Sequence, residues 1–381
     1  MNESQRKLIE LIKASVFSEA SLKPQAFSLK NDESDYGSSA LRDFGTNEPL
    51  SPNPSHLSPE LLILAKKHSV LPIIQADYEA VSKSDNQLYA ADEMQSYFEQ
   101  HGIYNCALKG INTKRRYPKP ELRPMSDLDL LYKPEQTKQL RAAMKELGYK
   151  FDSEERRHDS FTRQPYICVE MHRIMAEPGP YYDYYKDPWS RFVLKPNCQY
   201  TYEMRLEDEF IYCIVHAAEH FKLGGVGIRV ILDFAVYKSQ NMDWEYFYAE
   251  IDKLGLRKFY LELGNIAENW FLGGHRQTSK KLEKFILESG LYGTEENTNA
   301  ARVGDSKAKF ITSALFPSYE SMCSVYPWLS SNKVLLPVAW VKRWIKAFLF
   351  RRKNVFLQLK RVRSTNSTYK DLDEIINITK I

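Results

Sequence analysis

Cysteine is scarce in this sequence, and its spacing matches neither a disulfide framework nor a structural zinc site. The 381 residues contain five cysteines, an odd number, widely separated and never arranged as Cys-x-x-Cys. Small secreted domains, which depend on disulfides, are therefore not the class that the sequence predicts. We expect a reducing compartment, the cytoplasm, in which the cysteines serve as small buried side chains.

Long apolar segments are also absent. The longest candidate, residues 334–341, falls well short of the roughly 18 to 20 apolar residues with which a helix crosses a bilayer. The N-terminal residues are polar and then amphipathic, without the apolar stretch of a signal peptide. The sequence therefore predicts neither a transmembrane segment nor a signal peptide. The chain is long enough for one catalytic domain with helical additions.

Acidic residues are missing from one part of the chain. Residues 333–363 contain ten lysines and arginines and no aspartate or glutamate. Since the net charge of the whole chain is +4, the remainder carries −6. A general nucleic-acid-binding surface is therefore not indicated for the main body, and the positive charge belongs to one C-terminal segment.

Hydrophobic periodicity predicts four regions along the chain. They are an N-terminal helical region, a core of strands, a helical domain and a basic amphipathic C-terminal segment, at 1–100, 101–195, 196–330 and 331–381. The first contains a polar linker at about 22–57, which separates a helix over Gln5–Ala20 from two more that begin at Pro59 and about Tyr78. The third is expected to consist of helices over Glu207–His220, Val226–Tyr237, Trp244–Leu254 and Lys258–Leu272.

The second region has the pattern of a small mixed sheet. Strands are predicted over Ile103–Leu108, Asp127–Tyr132 and Tyr166–His172, because these segments are short apolar runs or alternate polar and apolar residues. Pro134 and Gly148 mark the two ends of a helix between the second and third strands. Strands and helices in this order predict an α+β fold, with a small sheet flanked by N-terminal and C-terminal helical regions.

Two aspartates begin the second predicted strand. Asp127 and Asp129 are two residues apart, so in a strand both project to one face, with Leu128 turned into the core. Such a pair of carboxylates is electrostatically costly unless a cation lies between them. Mg²⁺ favours this arrangement, because it binds a few carboxylate oxygens and keeps its other positions for water and phosphate; Mn²⁺ is an alternative ion. Glu170, on the third predicted strand, can supply a further carboxylate.

An isolated Asp-x-Asp is common in proteins, and its significance here comes from the residues around it. Lys109-Gly110 is predicted as a turn after the first strand, Arg123 precedes the second, and Glu170 and His172 lie on the third. The ordered set resembles an uncharacterised nucleotidyltransferase family within the DNA polymerase beta-like superfamily. The matching motifs, between about Leu61 and Asp233, are Leu108-Lys109-Gly110, Arg123-x-Met125-x-Asp127-x-Asp129, Leu147-Gly148-Tyr149, Val169-Glu170-x-His172, His216-x-x-x-His220 and Arg229-x-x-x-Asp233.

The resemblance implies Mg²⁺-dependent transfer of a nucleotidyl group from a nucleoside triphosphate, such as ATP, to an acceptor hydroxyl or phosphate. It makes Asp127, Asp129 and Glu170 the metal-binding and catalytic residues, with Glu170 acting as ligand or base. The nucleotide-binding candidates are Lys109, Gly110, Arg123, Ser126, His172, His216, His220, Arg229 and Asp233. The acceptor is left open, and the family is associated with polysaccharide or peptide natural-product biosynthesis.

Two other classes of function fit parts of the sequence. The superfamily has Gly-Ser or Gly-Gly where this chain has Lys109-Gly110-Ile111, so a serine contact to the triphosphate is missing unless Lys109 or Arg123 replaces it. A regulatory protein that binds nucleotide without turnover would explain this departure. A zinc hydrolase would instead use His216, Glu219 and His220, since His-x-x-Glu-His places both histidines on one helix face. That reading leaves the two aspartates without a role.

Within the C-terminal segment 334–363, residues 334–350 interleave aromatic and aliphatic residues with lysines and arginines, a pattern that predicts an amphipathic helix with cationic flanks. Such an amphipathic helix suits contact with an anionic membrane surface or another polyanion. It also suits packing of its apolar side onto the catalytic domain with its charges in solvent, or contact with a protein partner. The sequence favours packing over the other two interpretations.

Overall fold

The structure, a computed structural model, describes residues 1–17, 58–74, 78–165, 167–291, 293–303, 312–313, 315–326, 328–329, 332–350 and 366–381. The chain divides into two compact units. The first consists of Met1–Cys213, Ile231–Leu254 and Leu263–Gln277, and the second of Ile214–Val230, Gly255–Glu262 and Thr278–Ile381. The linker predicted at about 22–57 lies outside the described residues.

Four helices precede the sheet, and all but the short third one were predicted from the sequence. They are α1 (Glu3–Phe17), α2 (Pro59–Lys67), α3 (Leu71–Ile74) and α4 (Tyr78–Gln100). At the start of α2 the Ser58 hydroxyl accepts a hydrogen bond from the Leu61 amide at 3.3 Å, and Pro59 takes the first helical position. The predicted helix over Gln5–Ala20 is confirmed as far as Phe17, and residues 18–20 lie outside the described part of the chain.

Seven strands within the described residues form one mixed sheet, in the order β3-β4-β5-β2-β1-β7-β6. Their bounds are Asn105–Ala107 (β1), Leu128–Tyr132 (β2), Lys150–Glu154 (β3), His158–Arg163 (β4), Ile167–His172 (β5), Val193–Leu194 (β6) and Thr201–Glu203 (β7). β2 pairs in parallel with β5 and antiparallel with β1. β7 is parallel to β1, and the remaining pairs are antiparallel. The α+β fold with a mixed sheet is confirmed.

The sheet is larger than the sequence predicts. The three predicted strands correspond to β1, β2 and β5, but β3, β4, β6 and β7 were not predicted as strands. β3 is exposed along its whole length at the edge of the sheet, so it lacks the alternation of buried and exposed residues by which a strand is recognised. The second predicted strand also begins one residue late, because Asp127 precedes β2 rather than lying in it.

The turn predicted at Lys109-Gly110 is wrong, because these two residues begin helix α5 (Lys109–Arg116). This helix is short and contains one aliphatic residue, Ile111, so it shows no hydrophobic periodicity. As a result, Lys109 lies at the N-terminal end of a helix, where the backbone dipole favours a negative charge.

The remaining helices follow the prediction closely. The predicted helix between Pro134 and Gly148 is a turn of 3-10 helix followed by α6. The four helices predicted in the third region are confirmed as α8 to α11, with ends displaced by up to three residues. The bounds are α6 (Thr137–Glu146), α7 (Tyr182–Tyr185), α8 (Leu206–Leu223), α9 (Ile228–Lys238), α10 (Trp244–Lys253), α11 (Arg257–Phe271), α12 (Lys280–Ser289), α13 (Glu295–Val303), α14 (Tyr319–Val325), α15 (Leu336–Phe350) and α16 (Asn366–Thr379).

No helix in the described part of the chain combines the length and the apolar character that are needed to span a bilayer.

Strand β2 is anchored in the core of the first unit. Leu128, Leu130 and Tyr132 are buried against residues of α4, α6 and β5, among them Met94, Phe98, Leu140, Met144 and Val169. Burying each such leucine or phenylalanine stabilises the fold by about 1.5–3 kcal/mol. Because side chains alternate along a strand, Asp129 projects from the other face of β2. The core therefore fixes the position of this carboxylate.

Candidate active site

Three carboxylates lie together on two neighbouring strands. Asp127 directly precedes β2, Asp129 lies within it, and Glu170 lies on β5. The parallel pairing of these strands places Glu170 directly beside Asp129. One carboxylate oxygen from each of the three residues lies within 4.8 Å of the other two, a spacing that could hold a metal ion. Since both strands belong to the sheet, the cluster is built on hydrogen-bonded backbone.

Asp129 is the most buried member of the cluster. Its side chain is 1% exposed, and its Oδ1 lies 3.4 Å from the Lys109 ammonium and 2.8 Å from Nε2 of His172. Burial alone would raise the pKa of Asp129, but Lys109 and the hydrogen bond from His172 lower it to about 2. In turn, Asp129 raises the pKa of the Lys109 ammonium against the effect of burial. Asp129 is therefore ionised at neutral pH, and Lys109 and the hydrogen bond from His172 stabilise its negative charge.

Asp127 lies in a less favourable environment. Its Oδ1 accepts a hydrogen bond of 2.9 Å from the Ser126 hydroxyl. Burial raises the pKa of Asp127, and the neighbouring charge of Asp129 raises it further. Lys109 acts in the opposite direction without cancelling these effects. An ionised Asp127 therefore carries negative charge that the surrounding protein does not fully balance.

His172 links the two strands through one nitrogen. Its Nε2 is 2.8 Å from Asp129 and 3.3 Å from Glu170, so an N–H on this nitrogen is shared between two carboxylates. This bond is the main reason that the pKa of Glu170 is lowered. His158 approaches the same oxygen of Glu170, with its Nδ1 3.6 Å from Oε2. Together, His158, Glu170 and His172 form a second group whose ligand atoms lie within 4.8 Å of one another.

Gly110 allows α5 to approach the segment that carries Asp127. A Cβ at this position would lie 2.9 Å from Sδ of Met125, which is closer than real contacts of this kind. The backbone oxygen of Gly110 also accepts a hydrogen bond of 3.0 Å from Arg123. The space next to Gly110 is thus filled by the protein itself, and the glycine brings Lys109 close to the carboxylates.

Arg123, a candidate for phosphate binding, forms a buried ion pair instead. Its Nε and Nη2 donate to the two carboxylate oxygens of Asp233 at 2.9 and 3.0 Å. The Tyr117 hydroxyl donates to the same carboxylate at 2.7 Å. Arg123 and Asp233 therefore form one buried ion pair, and their assignment to the nucleotide stays a prediction.

The two histidines of the rival zinc motif lie in the second unit. The Nε2 atoms of His216 and His220 are 3.1 Å apart, and both side chains are partly buried. Arg229 is also in the second unit, in α9. Within the described residues, the two groups of three potential metal ligands include neither histidine nor Glu219. Among the described residues, the pair His216 and His220 therefore lacks the third ligand that this zinc motif would need.

Arg157 and Tyr212 were not among the site residues that the sequence predicted. Arg157 is partly buried and donates a hydrogen bond of 3.1 Å to the Tyr212 hydroxyl. Both groups influence the pKa of the Lys109 ammonium, which Tyr212 raises and Arg157 lowers. Arg157 and Lys109 therefore supply two positive charges to one region. The sequence Arg156-Arg157-His158 gives no local sign that Arg157 and His158 are partly buried rather than exposed in a basic turn.

Comparison with known proteins gives one family match and one structural likeness of note. The model of a family described as uncharacterised nucleotidyltransferase matches residues 59–272. No curated protein matches the chain. A solved structure, that of the antibiotic-resistance factor ANT(2'')-Ia, shares 12% sequence identity with a TM-score of 0.35, and the likeness covers 49% of this chain and 99% of that one.

Proposed function

This chain belongs to the uncharacterised nucleotidyltransferase family, and from that premise we propose that it transfers a nucleoside monophosphate from a nucleoside triphosphate to an acceptor. Mg²⁺ would be held by Asp127, Asp129 and Glu170. The observation that supports this proposal is the cluster of three carboxylate oxygens within 4.8 Å on adjacent strands. The acceptor would be a hydroxyl or phosphate group of a small molecule or polymer.

The residues present fit a hard divalent cation. All three candidate ligands are carboxylates, which Mg²⁺ prefers. Burial and then the charge of Asp129 raise the pKa of Asp127, and a bound cation would oppose both effects. When bound, Mg²⁺ neutralises charge that develops on the phosphates and orients them for in-line displacement. Mn²⁺ also accepts oxygen ligands and would serve as a substitute.

Glu170 suits the role of a permanent ligand better than that of a base. The hydrogen bond from His172 lowers the pKa of Glu170, and a carboxylate with a lowered pKa accepts a proton less readily. We therefore assign Glu170 to the metal and leave the acceptor proton to solvent or to a phosphate oxygen. His172 is a positioning residue, because its Nε2 holds Asp129 and Glu170 in one arrangement.

Lys109 is the residue that we assign to the phosphates. Its ammonium lies 3.4 Å from Asp129 at the N-terminal end of α5, and its side chain is still 18% exposed. The ammonium can therefore contact the carboxylates and an incoming phosphate at the same time. The N-terminal end of α5 also favours a negative charge at this place. Arg157 supplies a second positive charge in the same region. This pair would replace the serine contact that the family pattern leads one to expect.

The proposal is tested by nucleotide binding. Each nucleoside triphosphate is titrated into the native protein with and without Mg²⁺, and into the double variant Asp127→Asn/Asp129→Asn. The matched control is Asp152→Asn/Asp183→Asn, which removes two exposed carboxylates from the same unit. We expect Mg²⁺-dependent binding of at least one nucleotide that only the first double variant loses. Binding by that variant at native affinity, or no binding to the native protein, would reject the assignment.

The alternative regulatory function is distinguished by turnover. Pyrophosphate release is followed with the bound nucleotide, Mg²⁺ and a deproteinised extract as the source of acceptors. Release that depends on Asp129 supports transfer. Tight, Mg²⁺-dependent binding without release in any extract would favour a protein that binds nucleotide without consuming it.

Asp127→Asn is expected to stabilise the metal-free protein at neutral pH. Because the pKa of Asp127 is raised in the folded state, the folded protein loses stability as pH increases through that pKa, and asparagine removes this loss. A gain of about 1 kcal/mol is typical when such an active-site charge is neutralised. Thermal unfolding without metal should show a higher Tm for the variant, and added Mg²⁺ should raise the Tm of the native protein only. A variant with a lower Tm than native in EDTA would contradict this account of the site.

A further inference from the structure

Exposed apolar side chains are concentrated near the C-terminus of the second unit. Four of them, Val334, Val338, Val341 and Ile345, follow one another at intervals of four, three and four residues, the spacing of one helix face. They are 82, 56, 48 and 55% exposed. We call these four residues the apolar face of α15, although Val334 lies in the 3-10 turn that directly precedes the helix. Leu315, Phe316, Val325 and Trp328, in the same unit, are also exposed.

The other side of α15 is packed, which fixes the orientation of the helix. Ala339 is fully buried in a small core with Met322 and Leu329, and Trp340 packs against that core. The indole Nε1 of Trp340 donates to the backbone oxygen of Pro317 at 3.0 Å, and that of Trp344 donates to Leu315 at 2.8 Å. The helix is therefore attached to its own unit by one side, and the apolar face is the side left outward.

Positive charge flanks the apolar face. Lys333, Lys342 and Lys346 are exposed in the described part of the chain. The described residues 332–350 contain no acidic residue. An occupant of this surface must therefore accept four aliphatic side chains and several lysines at the same time.

We propose that the apolar face of α15 binds the surface of a lipid bilayer that contains anionic lipids. A bilayer interface accepts aliphatic side chains between its acyl chains and cations at its headgroups. A second copy of this chain would bring the same positive charge to the contact and be repelled. A nucleic acid would match the cations but would leave the aliphatic side chains uncovered. The proposal concerns peripheral binding and is independent of the reaction proposed above.

The test is co-sedimentation of the full chain with vesicles. One set consists of phosphatidylcholine alone, and the other of phosphatidylcholine mixed with phosphatidylglycerol. We expect binding to the anionic vesicles only, weakened by added salt because the headgroup attraction is screened. Val338→Ser/Ile345→Ser and, separately, Lys342→Gln/Lys346→Gln should each weaken this binding by about tenfold or more.

The matched control is Ile63→Ser/Leu223→Ser, which removes two aliphatic side chains that are 67 and 55% exposed elsewhere on the chain. It should bind vesicles as the native protein does. Circular dichroism and Mg²⁺-dependent nucleotide binding should be the same in every variant, which shows that each is folded. The proposal is overturned if the native protein ignores anionic vesicles, if it binds both vesicle types equally, or if the α15 variants bind like the control. It is also overturned if the native protein is an oligomer that Val338→Ser/Ile345→Ser dissociates.

Discussion

Replacing Asp129 by asparagine is expected to reduce nucleotide turnover by about three orders of magnitude, because a metal ligand at the reacting phosphate is worth several kcal/mol in the transition state. Asparagine keeps the size of the side chain while removing the charge that Lys109 and His172 both contact. The measurement is the rate of pyrophosphate release under saturating nucleotide and Mg²⁺. The comparison variant is Asp152→Asn, whose exposed carboxylate lies on edge strand β3.

The same variant also tests which residues form the metal site. If Asp129→Asn retained native turnover, the cluster of Asp127, Asp129 and Glu170 could not be the reaction centre, whatever nucleotide the protein binds. Raising the Mg²⁺ or Mn²⁺ concentration should restore part of the activity if the loss reflects weaker metal binding, and none if the variant is unfolded. A native thermal unfolding curve separates these two cases.

Asp233→Ala is expected to destabilise the fold by about 3–5 kcal/mol, since removing one partner of a buried ion pair leaves the other charge uncompensated. The Arg123 side chain is 9% exposed and donates two hydrogen bonds to Asp233. The free energy of unfolding is measured by urea denaturation, with Asp183→Ala as the control. Asp183 is paired with Lys186, but it is 91% exposed, so its loss should leave stability unchanged.

A double variant separates the cost of an unpaired charge from the value of the pair. Arg123→Met/Asp233→Leu replaces both partners by apolar side chains of similar size and should recover most of the stability lost in Asp233→Ala. Recovery of stability without recovery of nucleotide affinity would show that Arg123 also positions α5, through its hydrogen bond to the backbone of Gly110. A double variant as unstable as Asp233→Ala would contradict the account of this pair as a compensated buried charge.

The parts of the site that lie on strands were accessible from the sequence. The alternation in the second predicted strand is local, so it predicted that Asp127 and Asp129 share one face of that strand. The register that places Glu170 beside Asp129 depends on pairing between segments about 40 residues apart, and no local pattern encodes it. The sequence therefore supplied the candidate ligands, while the tertiary fold supplied the distances between them.

The charged residues around the carboxylates were harder to place. Residues four apart face each other on a helix, so local spacing would pair Asp233 with Arg229, whereas its described ion pair is with Arg123, 110 positions away. Lys109 was expected in a turn and lies in a helix. Arg157 resembles any surface arginine until its contact with Tyr212 is known. The position of each of these residues depends on which segments contact one another in the fold. Composition and periodicity do not determine those contacts.

The placement of the carboxylates on β2 and β5 has a consequence for how related chains can diverge. Backbone hydrogen bonds and core packing hold Asp129 and Glu170 in place before any substrate arrives, so the proposed metal site would require little ordering when an ion binds. Segments outside these two strands could then change in length and sequence while the proposed ligand set is preserved. Under the proposed function, acceptor preference would evolve in such segments, and chimeras that exchange them between family members should retain the same metal requirement while changing the product.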